Sequence, residues 1–119
     1  QIKKGINGVR ETIEYLKKDY SIALMIDQRV SEGEKINFFN KPALTTTLPA
    51  QLSIKFDIDI IPVYLERDKN NNFNIEFLER IRSKNFNNKL DLSRELNLVL
   101  ERMVTRNPNQ WIWTHNRWK

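Results

Sequence analysis

The chain has 119 residues, a formal net charge of +5 and no cysteine. Disulfides, catalytic thiolates and cysteine-based zinc sites within the chain are therefore excluded, and a lone histidine, His115, argues against a histidine-based metal site. The length suits one domain or part of one, and no apolar run approaches the roughly 18 residues of a membrane-spanning helix.

The first predicted element is a helix over residues 2–18. Apolar residues recur there every three or four positions, as on the buried face of an amphipathic helix: Ile6, Val9, Ile13 and Leu16. Because Gly5 and Gly8 weaken the first turns, we expect the helix to begin near Asn7.

A short apolar run, Ile22 to Ile26, predicts a strand buried on both faces. Asp27, Gln28 and Arg29 follow it directly. Ligands of open α/β sheets bind where strands end in this way, so these three residues are candidate site residues. The alternative is a solvated strand end with an ordinary ion pair.

Residues from Pro42 to about Phe56 predict a second helix, because leucines recur there every four residues. Pro42 suits the first turn of such a helix, whereas Pro49 should kink it. The threonine run 45–47 has two interpretations. Its hydroxyls either contact a polar ligand beside the preceding acidic tip or cap the helix and bond back to its carbonyls.

Two strands are predicted next, over Asp59 to Leu65 and Phe73 to Leu78, joined by an asparagine-rich turn into a hairpin. Pro62 places the first of them at a sheet edge or a bulge. The stretch from Arg80 to Lys89 is polar and predicted to be loose.

A third helix is predicted to begin with Asp91 or Ser93 as its cap and to end near Arg106, because Asn107-Pro108 disfavours continuation. Its apolar stripe comprises Leu92, Leu96, Val99, Leu100 and Met103.

The tail from Arg102 to Lys119 contains basic residues but no acid, and it holds all three tryptophans: Trp111, Trp113 and Trp118. Basic residues interleaved with tryptophan suit an anionic partner such as phospholipid head groups, a phosphorylated glycolipid or nucleic acid. The alternative is that Trp111 and Trp113 pack on the domain while Trp118 covers an edge.

Two separated segments carry a resemblance to a known family. One is Asp27-Gln28 after an apolar run, followed by Gly33, Phe38-Phe39, Pro42-Ala43, the threonine run and a later Ile-Pro-Val segment. The other, more specific, is the tail from Pro108 onward, of the form Pro-x-Gln-Trp-x-Trp-x-His-x-Arg-Trp-Lys. Together they resemble the C-terminal half of the lipid A biosynthesis acyltransferases of the lauroyl/myristoyl type, within the glycerolipid acyltransferase superfamily.

The resemblance implies an α/β fold, a small mixed sheet flanked by helices, with residues 1–119 as the C-terminal part of a single acyltransferase domain. The catalytic motif of the family, a histidine followed five residues later by Asp or Glu, is absent and is expected upstream, as is the N-terminal membrane anchor. Asn40 also stands where the family usually has Gly after the two aromatic residues.

The resemblance also implies the chemistry. An upstream histidine acts as general base on an acceptor hydroxyl, which attacks the thioester of acyl carrier protein. The acceptor is a phosphorylated lipid A precursor at a membrane surface, the cytoplasmic face of the bacterial inner membrane, and no cofactor or metal is required. Asp27 is the supporting active-site acid, Gln28 and Arg29 are further substrate contacts, and Arg117 and Lys119 are candidates for phosphate or head-group binding.

Two other functions are compatible with the sequence. In the first alternative, the chain is a small basic module that binds nucleic acid with its tail. In the second, it is a noncatalytic interaction domain, the remnant of the enzyme. No zinc signature, ribonucleoprotein aromatic motif or helix-turn-helix pattern supports the nucleic-acid-binding module. The resemblance favours the acyltransferase, with no nucleic-acid partner.

Overall fold

A computed structural model describes residue 2 and residues 5–118, with only the backbone described at Ile6. The elements in chain order are α1 (Ile6–Leu16), β1 (Glu34–Phe38), β2 (Lys41–Thr45), α2 (Leu48–Phe56), β3 (Val63–Arg67), β4 (Phe73–Phe77) and α3 (Lys89–Arg106). Short 3-10 turns lie at Ser83–Asn85, Pro108–Gln110 and Trp113–His115. The predicted α/β class is confirmed, and the described strands pair as two antiparallel hairpins.

Helix α3 connects the two parts of the core. Near its start, Leu92 and Leu96 pack with Ala50 of α2. Nearer its end, Leu100 and Val104 pack with Phe38 and with Ala43 of the first hairpin. The four-residue spacing of these side chains places them on one face of the helix, as the predicted apolar stripe requires. The predicted end of the helix, at Arg106, is also confirmed.

The cap of α3 differs from the prediction. Asn88 precedes the helix in extended conformation, and its side-chain oxygen accepts hydrogen bonds from the backbone N–H groups of Leu90 and Asp91 at 2.9 and 3.0 Å. Asp91 and Ser93 were therefore the wrong cap residues, because both lie inside the helix. Asn88 satisfies two of the N–H groups that have no partner within the helix.

The segment that begins at Pro42 is a strand and not the start of a helix. Strands β1 and β2 pair in antiparallel register from Glu34 with Thr45 to Phe38 with Lys41. Phe39 and Asn40 form the two-residue turn between them, with φ of 50° and 58°. Such paired left-handed residues match the twist of a hairpin, and Asn tolerates that conformation better than most residues, which explains Asn40 at a position where Gly is usual.

The second helix is thus shorter than predicted. It begins at Leu48, and Pro49 lies in its first turn, where the missing N–H costs nothing and no kink results. The preceding threonines favour a strand because they are branched at Cβ. Thr47 Oγ1 accepts a hydrogen bond from Gln51 Nε2 at 2.7 Å, so this hydroxyl serves the helix start.

The predicted second hairpin is confirmed, with β3 shifted towards the C-terminus so that Pro62 precedes it. One of its faces packs on the end of α3. There the Arg106 guanidinium lies 4.2 Å from the centre of the Tyr64 ring and 2.7 Å from a carboxylate oxygen of Glu76. The opposite face carries large apolar side chains in contact with solvent: Val63, Leu65, Phe73, Ile75 and Phe77.

The turn between β3 and β4 is organised by the Asp68 carboxylate, which accepts hydrogen bonds from the backbone N–H of Asn70 and of Asn72 and from the Asn72 side chain. The side-chain bond from Asn72, followed by its backbone bond, lowers the pKa of Asp68 below its ordinary value of 3.8. The carboxylate therefore supports the turn fully above pH 3.8, and this support is lost as the pH falls through the lowered pKa.

We expect the amide NMR shifts of Asn70 and Asn72 to titrate in that acidic range, and Asp68→Asn to abolish the titration. An unchanged titration in the variant would contradict this account.

The run Ile22 to Ile26 does not form the predicted buried strand. It is irregular, and the side chain of Met25 is 82% exposed. A doubly buried strand needs neighbouring strands to satisfy its backbone N–H and C=O groups, and no described strand pairs with this run. Only its last residue, Ile26, packs against the cluster of Ala50, Leu92 and Leu96.

Helix α1 begins at Ile6, which confirms the predicted start near Asn7, and it ends at Leu16, two residues before the predicted end. Among the residues that the structure describes, no helix combines the length and the hydropathy needed to cross a bilayer.

Candidate functional site

The predicted acidic tip lies in the loop that leads into β1. Asp27 and Gln28 are half-buried, and Arg29 is exposed. Further along this loop, Gly33 approaches the backbone of Thr45 so closely that a Cβ atom at position 33 would lie 2.8 Å from the Thr45 nitrogen and oxygen. Only glycine allows this approach, which holds the end of the loop against β2.

Arg117, from the tryptophan-rich tail, is fully buried, with 0% of its side chain exposed. Its guanidinium carbon lies 4.3 Å from the centre of the Phe38 ring. Its Nη2 donates hydrogen bonds to Thr45 Oγ1 and Asn97 Oδ1, each at 3.2 Å. The arginine therefore joins the tail to β1, β2 and α3 at one point.

Thr45 and Asn97 complete this buried polar network. The Asn97 amide donates to the backbone oxygen of Asn37 at 3.0 Å and to Thr45 Oγ1 at 3.1 Å. The backbone N–H of Leu44 also donates to the carbonyl oxygen of Arg117, at 3.3 Å. Truncating a member of such a network leaves buried polar groups without partners, which is usually more costly than the lost bond itself.

The guanidinium of Arg117 is only partly satisfied. Its Nε and Nη1 atoms are buried and have no hydrogen-bond partner among the described residues. Burial lowers the pKa of Arg117, and the negative charge of Asp27 acts in the opposite direction. Of the predicted site residues, Arg117 is thus placed in the core, where Thr45 and Asn97 hold it, and among the described residues no hydrogen bond or ion pair joins it to Asp27.

Trp111 and Trp118 pack on the core, whereas Trp113 is 50% exposed, so the second interpretation of the tail is confirmed for Trp111 and wrong for Trp113. Trp118 stacks on Phe38 with ring centres 5.6 Å apart, and its indole N–H donates to the Phe38 carbonyl oxygen at 3.1 Å. Trp111 lies against the same phenylalanine, and Trp113 meets Trp111 edge to face. Phe38 is therefore the anchor on which the tail folds.

The remaining predicted site residues are not part of this network. Lys119 lies outside the described residues. His115 is exposed, and its side chain makes no hydrogen bond to a described carboxylate. The part of the chain that the structure describes contains no cluster of three or more residues suited to a metal ion.

Two open depressions lie elsewhere on the surface. One, of about 430 Å³, lies along α3 and is lined by Phe39, Glu101 and Arg102 among others. The other, of about 540 Å³, lies beside the turn of the second hairpin and is mostly polar. Neither of these two depressions is lined by Asp27 or Arg117.

Sequence reasoning missed Asn97 and the individual role of Thr45. Asn97 follows Leu96 within the apolar stripe of α3 and lies four residues after the equally buried Ser93. A polar residue on the buried face of a helix is a signal that could have been noticed, since buried polar groups need partners. The identity of those partners depended on the tail, which packs on α3 and the first hairpin from far along the chain.

A comparison with known proteins identifies the family of this chain. A sequence model of the family described as "Bacterial lipid A biosynthesis acyltransferase" matches residues 2–119. No individual curated protein shows a significant match to the chain. The match extends over the acidic loop, both hairpins, α3 and the tail. The chain therefore belongs to the bacterial lipid A biosynthesis acyltransferase family.

Proposed function

We propose that the protein transfers a fatty acyl chain from acyl carrier protein to a hydroxyl of a phosphorylated lipid A precursor, and that these 119 residues form the acceptor side of the site. The observation that carries the proposal is the family match from residue 2 to residue 119, which includes the half-buried carboxylate of Asp27. A carboxylate accepts hydrogen bonds from hydroxyl groups such as those of a sugar.

The neighbours of Asp27 supply complementary groups. The Gln28 amide both donates and accepts hydrogen bonds. The exposed guanidinium of Arg29 can bind a phosphate with two parallel hydrogen bonds. The predicted contact of Arg117 with a phosphate stays a prediction, and its buried side chain would have to be uncovered first.

The proposal places the general base outside these 119 residues. His115 is exposed and has no carboxylate partner among the described residues to orient its ring or raise its basicity. A base must reach the proton that it removes, and an orienting partner holds it in that position. Within the chain, Asp27 then positions the acceptor and does not remove its proton.

The lipid nature of the acceptor favours work at a membrane surface, and we propose the cytoplasmic face of the bacterial inner membrane. Exposed apolar side chains and the basic tail both suit contact with anionic lipid. The exposed apolar side chains and the basic tail therefore support both the proposed membrane location and the proposed lipid substrate.

The activity part of the proposal is tested on the 119-residue chain with acyl carrier protein thioester and a phosphorylated lipid A precursor in mixed micelles. We expect no acyl transfer by this chain, as measured by mass spectrometry of the lipid. Robust turnover would show that the base lies within the chain and would overturn its assignment elsewhere.

The acceptor part is tested by binding of the same precursor without the donor. Asp27→Asn should weaken binding about tenfold or more, because a hydrogen bond to a charged group contributes about 1.5–3 kcal/mol. Asp91→Asn is the matched control, since Asp91 is exposed at the start of α3. Titration calorimetry measures both, and equal affinities of the Asp27 and Asp91 variants would contradict the role of Asp27.

A further inference from the structure

The second hairpin is held by one face and exposes the other. On the held face, Arg106 contacts both the Tyr64 ring and the Glu76 carboxylate, and the Asn107 amide donates to Glu66 at 2.9 Å. The hairpin is therefore fixed to the end of α3, and its free face has a defined orientation. That face carries five large apolar side chains that are between 48% and 73% exposed: Val63, Leu65, Phe73, Ile75 and Phe77. A contiguous apolar surface of this kind marks an interaction site.

The backbone of the hairpin restricts the kind of partner that this face can take. The N–H of Leu78 donates to the Pro62 carbonyl, and the N–H of Asp68 donates to the Asn72 carbonyl, both at 2.9 Å. Because hydrogen-bonded pairs alternate along an antiparallel ladder, the intervening residues of β4 direct their N–H and C=O groups away from β3. Such groups need water or another polar partner. The edge therefore suits the level of lipid head groups, where water and polar groups lie beside the acyl chains.

The charges around the face favour an anionic partner. The acids of the hairpin are engaged, Glu66 and Glu76 on the held face and Asp68 with the amides of the turn. Arg67 and Lys69 are exposed at the tip of the hairpin and make no ion pair with a described residue. The apolar face itself contains no acid, so a second copy of it offers no partner for these two cations. Anionic lipid does, since it attracts each Lys or Arg near its surface.

We propose that the apolar face of the second hairpin is a lipid-binding surface that lies flat on an anionic bilayer. The side chains of Phe73, Ile75 and Phe77 enter the boundary between head groups and acyl chains, and Arg67 and Lys69 contact the phosphates. This inference rests on the proposed membrane location and names the element of the chain that makes the contact.

The first test places one environment-sensitive label on the face. Because the chain has no cysteine, Ile75→Cys and Leu98→Cys each allow a single nitrobenzoxadiazole label, the first on the face and the second on the exposed side of α3. Both labelled chains are used at a concentration at which sedimentation finds single chains. With vesicles of phosphatidylglycerol, the label at position 75 should brighten and emit at shorter wavelength, and the label at position 98 should not change.

Three results of this test would overturn the proposal. The label at position 75 stays in water when vesicles are added, or both labels respond equally. In the third, the label at position 75 responds to an increase in protein concentration and not to vesicles, which would assign the face to a second copy of the chain.

The second test measures binding to the same vesicles by co-sedimentation. The double variant Arg67→Gln and Lys69→Gln should bind about tenfold more weakly or worse, because each basic residue near an anionic surface contributes about fivefold. Lys17→Gln with Lys18→Gln is the charge-matched control, since both lysines are exposed just after α1, and it should lose far less affinity. Equal losses for the two double variants would show that net charge and not the hairpin guides binding, which overturns the proposal.

Neither test contains acyl carrier protein or lipid A precursor, so the lipid contact and the proposed function fail separately. If the chain binds vesicles while the label at position 75 stays in water, the membrane location survives and the role of the hairpin is refuted. If the label enters the bilayer while the precursor is not bound, the lipid contact survives and the proposed acceptor is refuted.

Discussion

Replacing Phe38 with alanine should lower the free energy of unfolding by about 3–5 kcal/mol, the range found for large aromatic side chains in cores. The Phe38 side chain is 0% exposed and packs with Leu100 and Val104 of α3. It also supports Trp118 by stacking and lies beneath the guanidinium of Arg117. Its removal should therefore leave a cavity and release the tail from β1.

The measurement is denaturant unfolding followed in parallel by far-ultraviolet circular dichroism and by tryptophan fluorescence. Because all three tryptophans lie in the tail, fluorescence reports on the tail and dichroism on the helices. Phe38→Leu, which fills much of the same volume, should recover part of the loss.

Phe73→Ala is the matched control for this prediction. Phe73 belongs to the same residue type but is 64% exposed on β4, so its truncation should change stability by about 0.5 kcal/mol or less. Equal losses for the two variants would show that Phe38 is not the anchor of the tail.

The sequence predicted the elements whose pattern is local. The stripe on α3 needs only the spacing of its own residues, and its end at Arg106 needs only the following Asn107-Pro108. The second hairpin was equally accessible, since the alternation in β4 and the asparagine-rich turn lie next to each other in the chain. In these cases local propensity and tertiary packing favour the same structure.

The errors have a different physical origin. The run from Ile22 to Ile26 has the composition of a buried strand, but a strand also needs partners along its edges, and sequence composition does not report them. The leucines after Pro42 suggested a helix, yet β-branched threonines and a two-residue turn at Phe39-Asn40 favoured pairing with β1.

The sequence identified residues of the candidate site but did not predict how they are arranged in space. Asp27 and Arg117 were both named as site residues, but as contacts for the substrate. The place of Arg117 depends on the packing of the tail onto Phe38 and on its hydrogen bond to Asn97, whose burial the helix pattern indicates but whose partner it does not identify. Contacts such as the hydrogen bond between Arg117 and Thr45, which are 72 positions apart, are the part of a site that a local pattern does not contain.

The apolar face of the second hairpin should make the chain associate with itself at micromolar concentrations. Phe73, Ile75 and Phe77 occupy alternate positions of β4, and Ile75 and Phe77 lie opposite Leu65 and Val63. Phe77 is 73% exposed. Contiguous apolar surface of this kind is unusual on a soluble monomer, and unpaired strand edges beside it promote pairing between chains.

The double variant Phe73→Ser and Phe77→Ser should therefore lower the weight-average mass found by sedimentation or light scattering towards 14.3 kDa, the mass of one chain. Its stability should change little, because both rings are exposed in the single chain and the core clusters do not include them. Leu98→Ser is the matched control, since Leu98 is exposed on α3 outside the hairpin face and should leave association unchanged. If the double variant associates as strongly as the unmodified chain, the contact lies elsewhere. If Leu98→Ser dissociates the chain equally well, general surface hydrophobicity and not the contiguous face is responsible.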